Sequence, residues 1–197
     1  PRVPIGRLFA DHAGAVIAGI AGVVACFAIF YLATTFALSF GTKTLGYSRE
    51  AFLLVQLGAN TFLAIGILLA GWWADRTSAR NVLGKGAALT AVIGLVFGAG
   101  LGSGSLLLVF LTLAAALLVM GLTYGPLGAW LPTLYAVPVR YTGISVAFNV
   151  GGIIGGAMAP FAAQYLAQHG GTPYVGLFLT VAGSLTLAGV LFGRKAG

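Results

Sequence analysis

The chain has 197 residues, 59% of them hydrophobic and 31 of them glycine, with ten basic and three acidic side chains. A soluble domain carries about 25% charged residues; this chain has 7%, which excludes a water-soluble fold, a coiled coil or a disordered segment and leaves lipid as the solvent for most of the surface. A net charge of +7 on a soluble protein would point to nucleic acid. Here the basic residues stand between long apolar blocks and read as topology signals, so no nucleic-acid partner is expected.

A helix crossing the hydrocarbon core needs about 20 residues, so the length allows six or seven spans. A barrel would instead alternate apolar and polar residues in segments of about ten, a pattern the unbroken blocks do not follow. The chain opens Pro1-Arg2-Val3-Pro4-Ile5-Gly6-Arg7, which is no cleavable leader and reads as a cut or incomplete end. The first block is uncharged from Ala13 to Thr42, and Gly41–Glu50, with Lys43, Arg49 and Glu50, reads as a loop. The second block is Ala51–Ala74, followed by a charged loop with Asp75, Arg76, Arg80 and Lys85. Gly102-Ser103-Gly104-Ser105 divides the next stretch into a third span near Leu83–Leu101 and a fourth near Leu106–Leu127. Pro126, Pro132 and Pro138 close the fourth helix and predict an irregular loop up to Arg140. The fifth span is predicted at Ile144–Ala167, a polar turn at Gln168–Pro173 and the sixth span at Tyr174–Phe192, ended by Arg194 and Lys195.

Six spans put both termini on one side. That side collects Arg2, Arg7, Arg76, Arg80, Lys85, Arg140, Arg194 and Lys195, and the other only Lys43 and Arg49. The bias places both ends in the cytoplasm of a cell membrane. The expected fold is an all-α, polytopic membrane protein of six transmembrane helices.

Apart from Lys85 at the start of the third, no charge falls inside a predicted span, so the chain carries no proton relay of its own. It has no metal-ligand cluster, no nucleophile signature and no cofactor motif, so neither an enzyme, a metal nor a cofactor is expected. Cys26 has no partner for an internal disulfide. Glycine pairs at helical spacing, Gly151/Gly155 and Gly152/Gly156 on the fifth span and Gly94/Gly98 on the third, predict close helix packing. Polar residues within spans are few. Tyr31, Gln56, Asn60, Tyr124 and Asn149 are the candidates to line a polar cavity near the midplane, because amides and phenols in lipid require partners. Interhelical hydrogen bonding is the alternative use for them.

Two motifs carry a resemblance. Gly71-Trp72-Trp73-Ala74-Asp75-Arg76-Thr77-Ser78-Ala79-Arg80, between the second and third spans, resembles the Gly-x-x-x-Asp-Arg-x-Gly-Arg-Arg loop of the major facilitator superfamily. Gly125-Pro126-Leu127-Gly128-Ala129-Trp130-Leu131-Pro132, with Val139–Gly143 and Asn149–Pro160, is similar to the tenth and eleventh helices of its metabolite:proton symporter branch. The resemblance implies helices seven to twelve of a twelve-helix transporter, built as two inverted three-helix repeats, Ala13–Leu101 and Leu106–Phe192. It also implies solute transport with protons, together with an N-terminal six-helix half absent from this chain, and a cytoplasmic gate of Gly71, Asp75, Arg76, Arg80 and Arg140. The branch carries α-ketoglutarate, shikimate, citrate, proline or betaine. Ser78 and Ala79 replace a usual Gly and Arg, and Thr133 replaces a usual Glu, which weakens the expected gate network. The other reading is a stand-alone six-span protein acting as a homo-oligomeric channel or scaffold.

Overall fold

The computed structural model describes residues 4–193. Among them are six helical rods long and apolar enough to cross a membrane: span one Ala13–Lys43, span two Arg49–Arg76, span three Ala79–Leu101, span four Leu106–Leu134, span five Val137–Gly170 and span six Thr172–Phe192. No strand occurs among the described residues. The molecule is a multi-pass, all-α membrane protein. A short amphipathic helix, Pro4–Asp11, precedes span one. Arg2, Arg194 and Lys195 lie outside the described residues.

Local chemistry fixes the ends. Ser48 caps span two by accepting the Ala51 N–H at 3.2 Å, and Ser78 caps span three by accepting that of Asn81 at 3.2 Å. Span three therefore begins at Ala79, not near Leu83: a hydroxyl cap outweighs the polarity of Arg80 and Asn81, whose side chains reach water from a helix end. Span five likewise starts earlier than Ile144. Gly125 and Pro126 follow the α-helix that ends at Tyr124, but the expected loop is mostly a string of short turns, Leu127–Trp130, Leu131–Leu134 and Val137–Val139, running directly into a helix at Arg140. Pro132 and Pro138 sit in the first positions of two of these turns, where a missing N–H is harmless. Gly171, at φ 83°, makes the tight corner between spans five and six.

The spans pack in two layers. Spans three and six cross each other at the back, with span three against span four and span six against span one. Spans one and four form the middle of the front layer, flanked by span five beside span one and span two beside span four. Span one is the most enclosed, with 67% of its apolar window buried, against 22% for span two and 28% for span five. The flanking spans thus turn a long side away from the bundle.

Close backbone approach holds the layers, since lipid supplies no hydrophobic force between helices. A Cβ added at Gly94 would strike Thr180 and the Gly176 carbonyl on span six. One added at Gly121 would lie 2.6 Å from backbone atoms of Gly66 and Leu63 on span two. Gly151 and Gly155 bring span five onto the backbone of span one at Ile20 and Val24, and Gly156 faces the Tyr31 ring. Gly152 makes only ordinary contact with Phe27, at 3.5 Å. Thr186 of span six, fully buried, reaches into span one. Its hydroxyl donates to the Ala21 carbonyl at 2.6 Å and accepts the Ala25 N–H at 2.9 Å.

These contacts make glycine positions unequal. Gly94→Leu is expected to destabilise the protein by about 1–3 kcal/mol through overpacking. Gly71→Leu, where nothing lies within 4 Å of an added Cβ, is expected to leave the melting temperature of the purified protein unchanged. Equal melting temperatures for the two variants would contradict the packing described.

Candidate functional site

Four of the five polar candidates fall in the middle third of their spans. Tyr31 on span one, Asn60 on span two, Tyr124 on span four and Asn149 on span five each lie within about 7 Å of the midpoint of their span, at 1.5 Å rise per residue. All four spans belong to the front layer. Asn60, Tyr124 and Asn149 are exposed, and Tyr31 is half-buried. The Tyr31 ring stands edge-on to Phe30, at 5.5 Å between centroids. The amide nitrogen of Asn149 donates to the Ser145 carbonyl of its own helix at 2.8 Å. The front layer thus carries one carboxamide on each flanking span and a phenol on each middle span.

Gln56 behaves differently. It is only 7% exposed, and its Nε2 donates to the carbonyls of Ala33 and Thr34 on span one, at 3.0 and 2.7 Å. Asn60, one turn further along span two, faces outward. The i,i+4 spacing puts both on one side of the helix, but the edge of span one covers only the first.

The end of the bundle near both chain termini gathers the charged candidates. Gly71, Asp75 and Arg76 are exposed in the last turns of span two. Arg76 donates to the Trp72 carbonyl at 3.1 Å and lies 3.9 Å over the Trp72 ring. Lys85 sits 4.3 Å over the Trp73 ring. Arg140 donates from Nε to the Tyr135 carbonyl at 3.2 Å. Arg80 crosses to span six, donating to the carbonyls of Val190 and Leu191 at 3.0 and 2.7 Å. It caps the last turn of that helix and sets a cation at the negative end of its dipole. None of these arginine contacts involves Asp75.

Three working residues escaped sequence reasoning. Thr186 is one threonine in an apolar helix, and nothing local marks it. Trp130 is buried against Gly22, and the motif that contains it marks the segment but not this contact. Tyr135 is buried and donates its hydroxyl to the Ala15 carbonyl at 3.2 Å. Burial pushes its phenol up to about 12, so it stays a protonated donor at any physiological pH. A cavity of about 650 Å³ lies away from the polar face, between the starting turns of span one and the end of span six, with Ile17, Ala18, Leu185 and Phe192 in its walls and Asp11 and His12 at its rim.

The Arg80 cap has a measurable consequence. Arg80→Gln is expected to increase amide exchange in the last turn of span six about fivefold, a loss of roughly 1 kcal/mol, while the middle of span six is unaffected. Unchanged protection at Val190–Phe192 would refute the cap.

Comparison with known proteins bears on what this face is for. The chain is 34% identical to the inner membrane metabolite transport protein YhjE of Escherichia coli, over 96% of this chain and 44% of that protein. It is 30% identical to a putative metabolite transport protein of Haemophilus influenzae, over 98% of this chain and 47% of that one. It is 27% identical to the shikimate transporter of Escherichia coli, over 85% and 39% respectively. No family model and no solved structure matches. The chain spans about half the length of the curated relatives it matches. These relatives are transport proteins and not enzymes. By this homology, and by its six apolar helices, the chain is similar to metabolite transport proteins of the membrane and corresponds to about half the length of one.

Proposed function

We propose that the chain is the C-terminal six-helix half of a secondary transporter that moves a small organic acid or zwitterion by alternating access. The observation that carries this reading is the open front face. Spans two and five flank the layer, are the least enclosed of the six, and together with spans one and four carry polar side chains at mid-depth. Polar groups in contact with acyl chains are costly. An N-terminal half laid against spans two and five would enclose the same groups in a solute cavity. Gly71 fits this arrangement, since its flank is open and a neighbouring helix can approach it closely.

The packing is consistent with two inverted repeats, Ala13–Leu101 and Leu106–Phe192. Span two leans on span four as span five leans on span one, and span three backs span four as span six backs span one. The excess of arginine and lysine at the end near both termini supports a cytoplasmic location for that end and an inner-membrane orientation. The described spans hold no acidic side chain and no histidine at mid-depth. Proton coupling, and any counter-charge for an acidic solute, therefore belong to groups on the other half. Asp75, exposed in the last turn of span two, can meet a partner helix as the gate closes.

Uptake of labelled shikimate, α-ketoglutarate and betaine, by cells expressing the membrane protein that carries this chain, tests the reading. At least one solute should accumulate, and collapse of the proton gradient should reduce its accumulation at least tenfold. Asp75→Asn should lower uptake at least tenfold without changing the amount in the membrane. No accumulation of any small organic solute would overturn the transport assignment, and full uptake by Asp75→Asn would overturn the gate role.

A further inference from the structure

Two of the spans contain a turn of π-helix, and their causes differ. In span five the π-turn is Ile153–Ala157, where the Met158 N–H reaches back five residues to Ile153 at 3.0 Å. Gly155, Gly156 and the following Pro160 account for it: proline has no N–H for the Gly156 carbonyl, so the ladder must adjust there. In span one the π-turn is Leu32–Phe36, with sequence Leu-Ala-Thr-Thr-Phe. It contains neither glycine nor proline; Thr34 donates back to the Phe30 carbonyl at 2.7 Å, a bond that bends a helix but supplies no donor for an inserted residue.

The cause lies on span two. In an α-helix the Ala37 N–H would go to the Ala33 carbonyl. Here it goes to Leu32 and Thr34, so Ala33 loses its helical donor. Gln56 Nε2 supplies one at 3.0 Å, and also donates to Thr34 at 2.7 Å. The surroundings are apolar, with Phe36, Phe52 and Ala59 fully or almost fully buried. A carbonyl without a donor there would be strongly penalised. The amide and the π-turn therefore depend on each other.

The π-turn also determines what span one presents. The extra residue in the turn rotates the helix beyond it by about 100° relative to an unbroken α-helix. Before the turn, span one is held by Thr186 and by Gly151 and Gly155. Beyond it, Phe36 stacks on Phe40 at 5.6 Å and Gly41 lies against Phe52. Between these anchored parts, Thr35 is exposed and Tyr31 borders the front face.

We propose that Gln56 is a positioning residue. Its amide holds the π-turn of span one and thereby sets Thr35 at the solute face, without itself contacting solute. This rests on the reading of the front face as a solute surface, but its test does not require transport. Thr35→Cys is labelled with a membrane-impermeant maleimide in a background free of other cysteines; Cys26, the one in this chain, is buried. The label is applied alone and combined with Gln56→Met or Gln56→Glu. Both variants keep the side-chain length, and neither a thioether nor a carboxylate donates.

At pH 8 both are expected to lower the labelling rate at Thr35→Cys at least fivefold, and Phe36→Cys, silent in the parent, becomes reactive. With each rate divided by that of the parent at the same pH, the glutamate variant regains part of the parent pattern as the pH falls and its carboxyl, protonated, again donates. In uptake, both variants raise KM at least fivefold and leave kcat within twofold. Equal labelling of Thr35→Cys in the parent and both variants would overturn the proposal even if transport is established. Absence of any uptake with the labelling shift intact would overturn the transport reading and leave the positioning role standing. If Gln56→Met does not accumulate in the membrane, the glutamate variant across pH decides the question.

Discussion

In hydrocarbon a backbone carbonyl has no water to turn to, and this requirement organises the molecule. Its few polar side chains are directed at carbonyls more than at one another. Gln56 serves Ala33 and Thr34, Thr186 serves Ala21, Thr180 serves Ala91 and Tyr135 serves Ala15. At the end of the bundle Arg80 serves Val190 and Leu191, and Arg140 serves Tyr135. Each of these bonds joins two spans, or a span to the segment between spans four and five. Each helps keep a helix end, a π-turn or a helix crossing in one geometry. Among the described residues no buried side-chain nitrogen or oxygen is left without a partner.

Glycine completes this scheme. Hydrogen bonds between a side chain and a neighbouring backbone need helices close together, and glycine at Gly94, Gly121 and Gly155 allows that approach. The resulting back and middle of the bundle are dense, while the outer sides of spans two and five remain uncovered. The same asymmetry separates the polar residues by role. Those turned inward secure the fold, as Gln56 and Thr186 do. Asn60, Tyr124 and Asn149, turned outward at mid-depth, remain for a ligand or a partner.

The six spans were legible because hydropathy over a long block is a bulk property that tertiary contacts do not overturn. Their ends were less so. Arg80 and Asn81 looked like loop residues, and only the Ser78 cap places them in a helix. Pro132 and Pro138 marked the end of regular α-structure between spans four and five, yet both fit the first positions of short turns. The π-turn of span five left a trace in Pro160 and its glycines. That of span one left none, because its cause is an amide on another helix. For the same reason the sequence could pair Gln56 with Asn60 by spacing but could not say that span one covers one of them. Arg80 stood out through its motif, but its acceptors lie 110 and 111 residues away.

The central claim is that the front face lines a water-filled path and does not meet lipid. The most direct measurement is the reactivity of Asn60→Cys and Asn149→Cys toward a small membrane-impermeant thiol reagent in intact cells and inverted vesicles. Leu95→Cys, on the exposed side of span three, serves as the lipid-facing reference. The account predicts that both asparagine positions react from at least one side of the membrane, at least tenfold faster than position 95. Reaction of all three at the same low rate would mean that lipid covers the face, and would contradict the account.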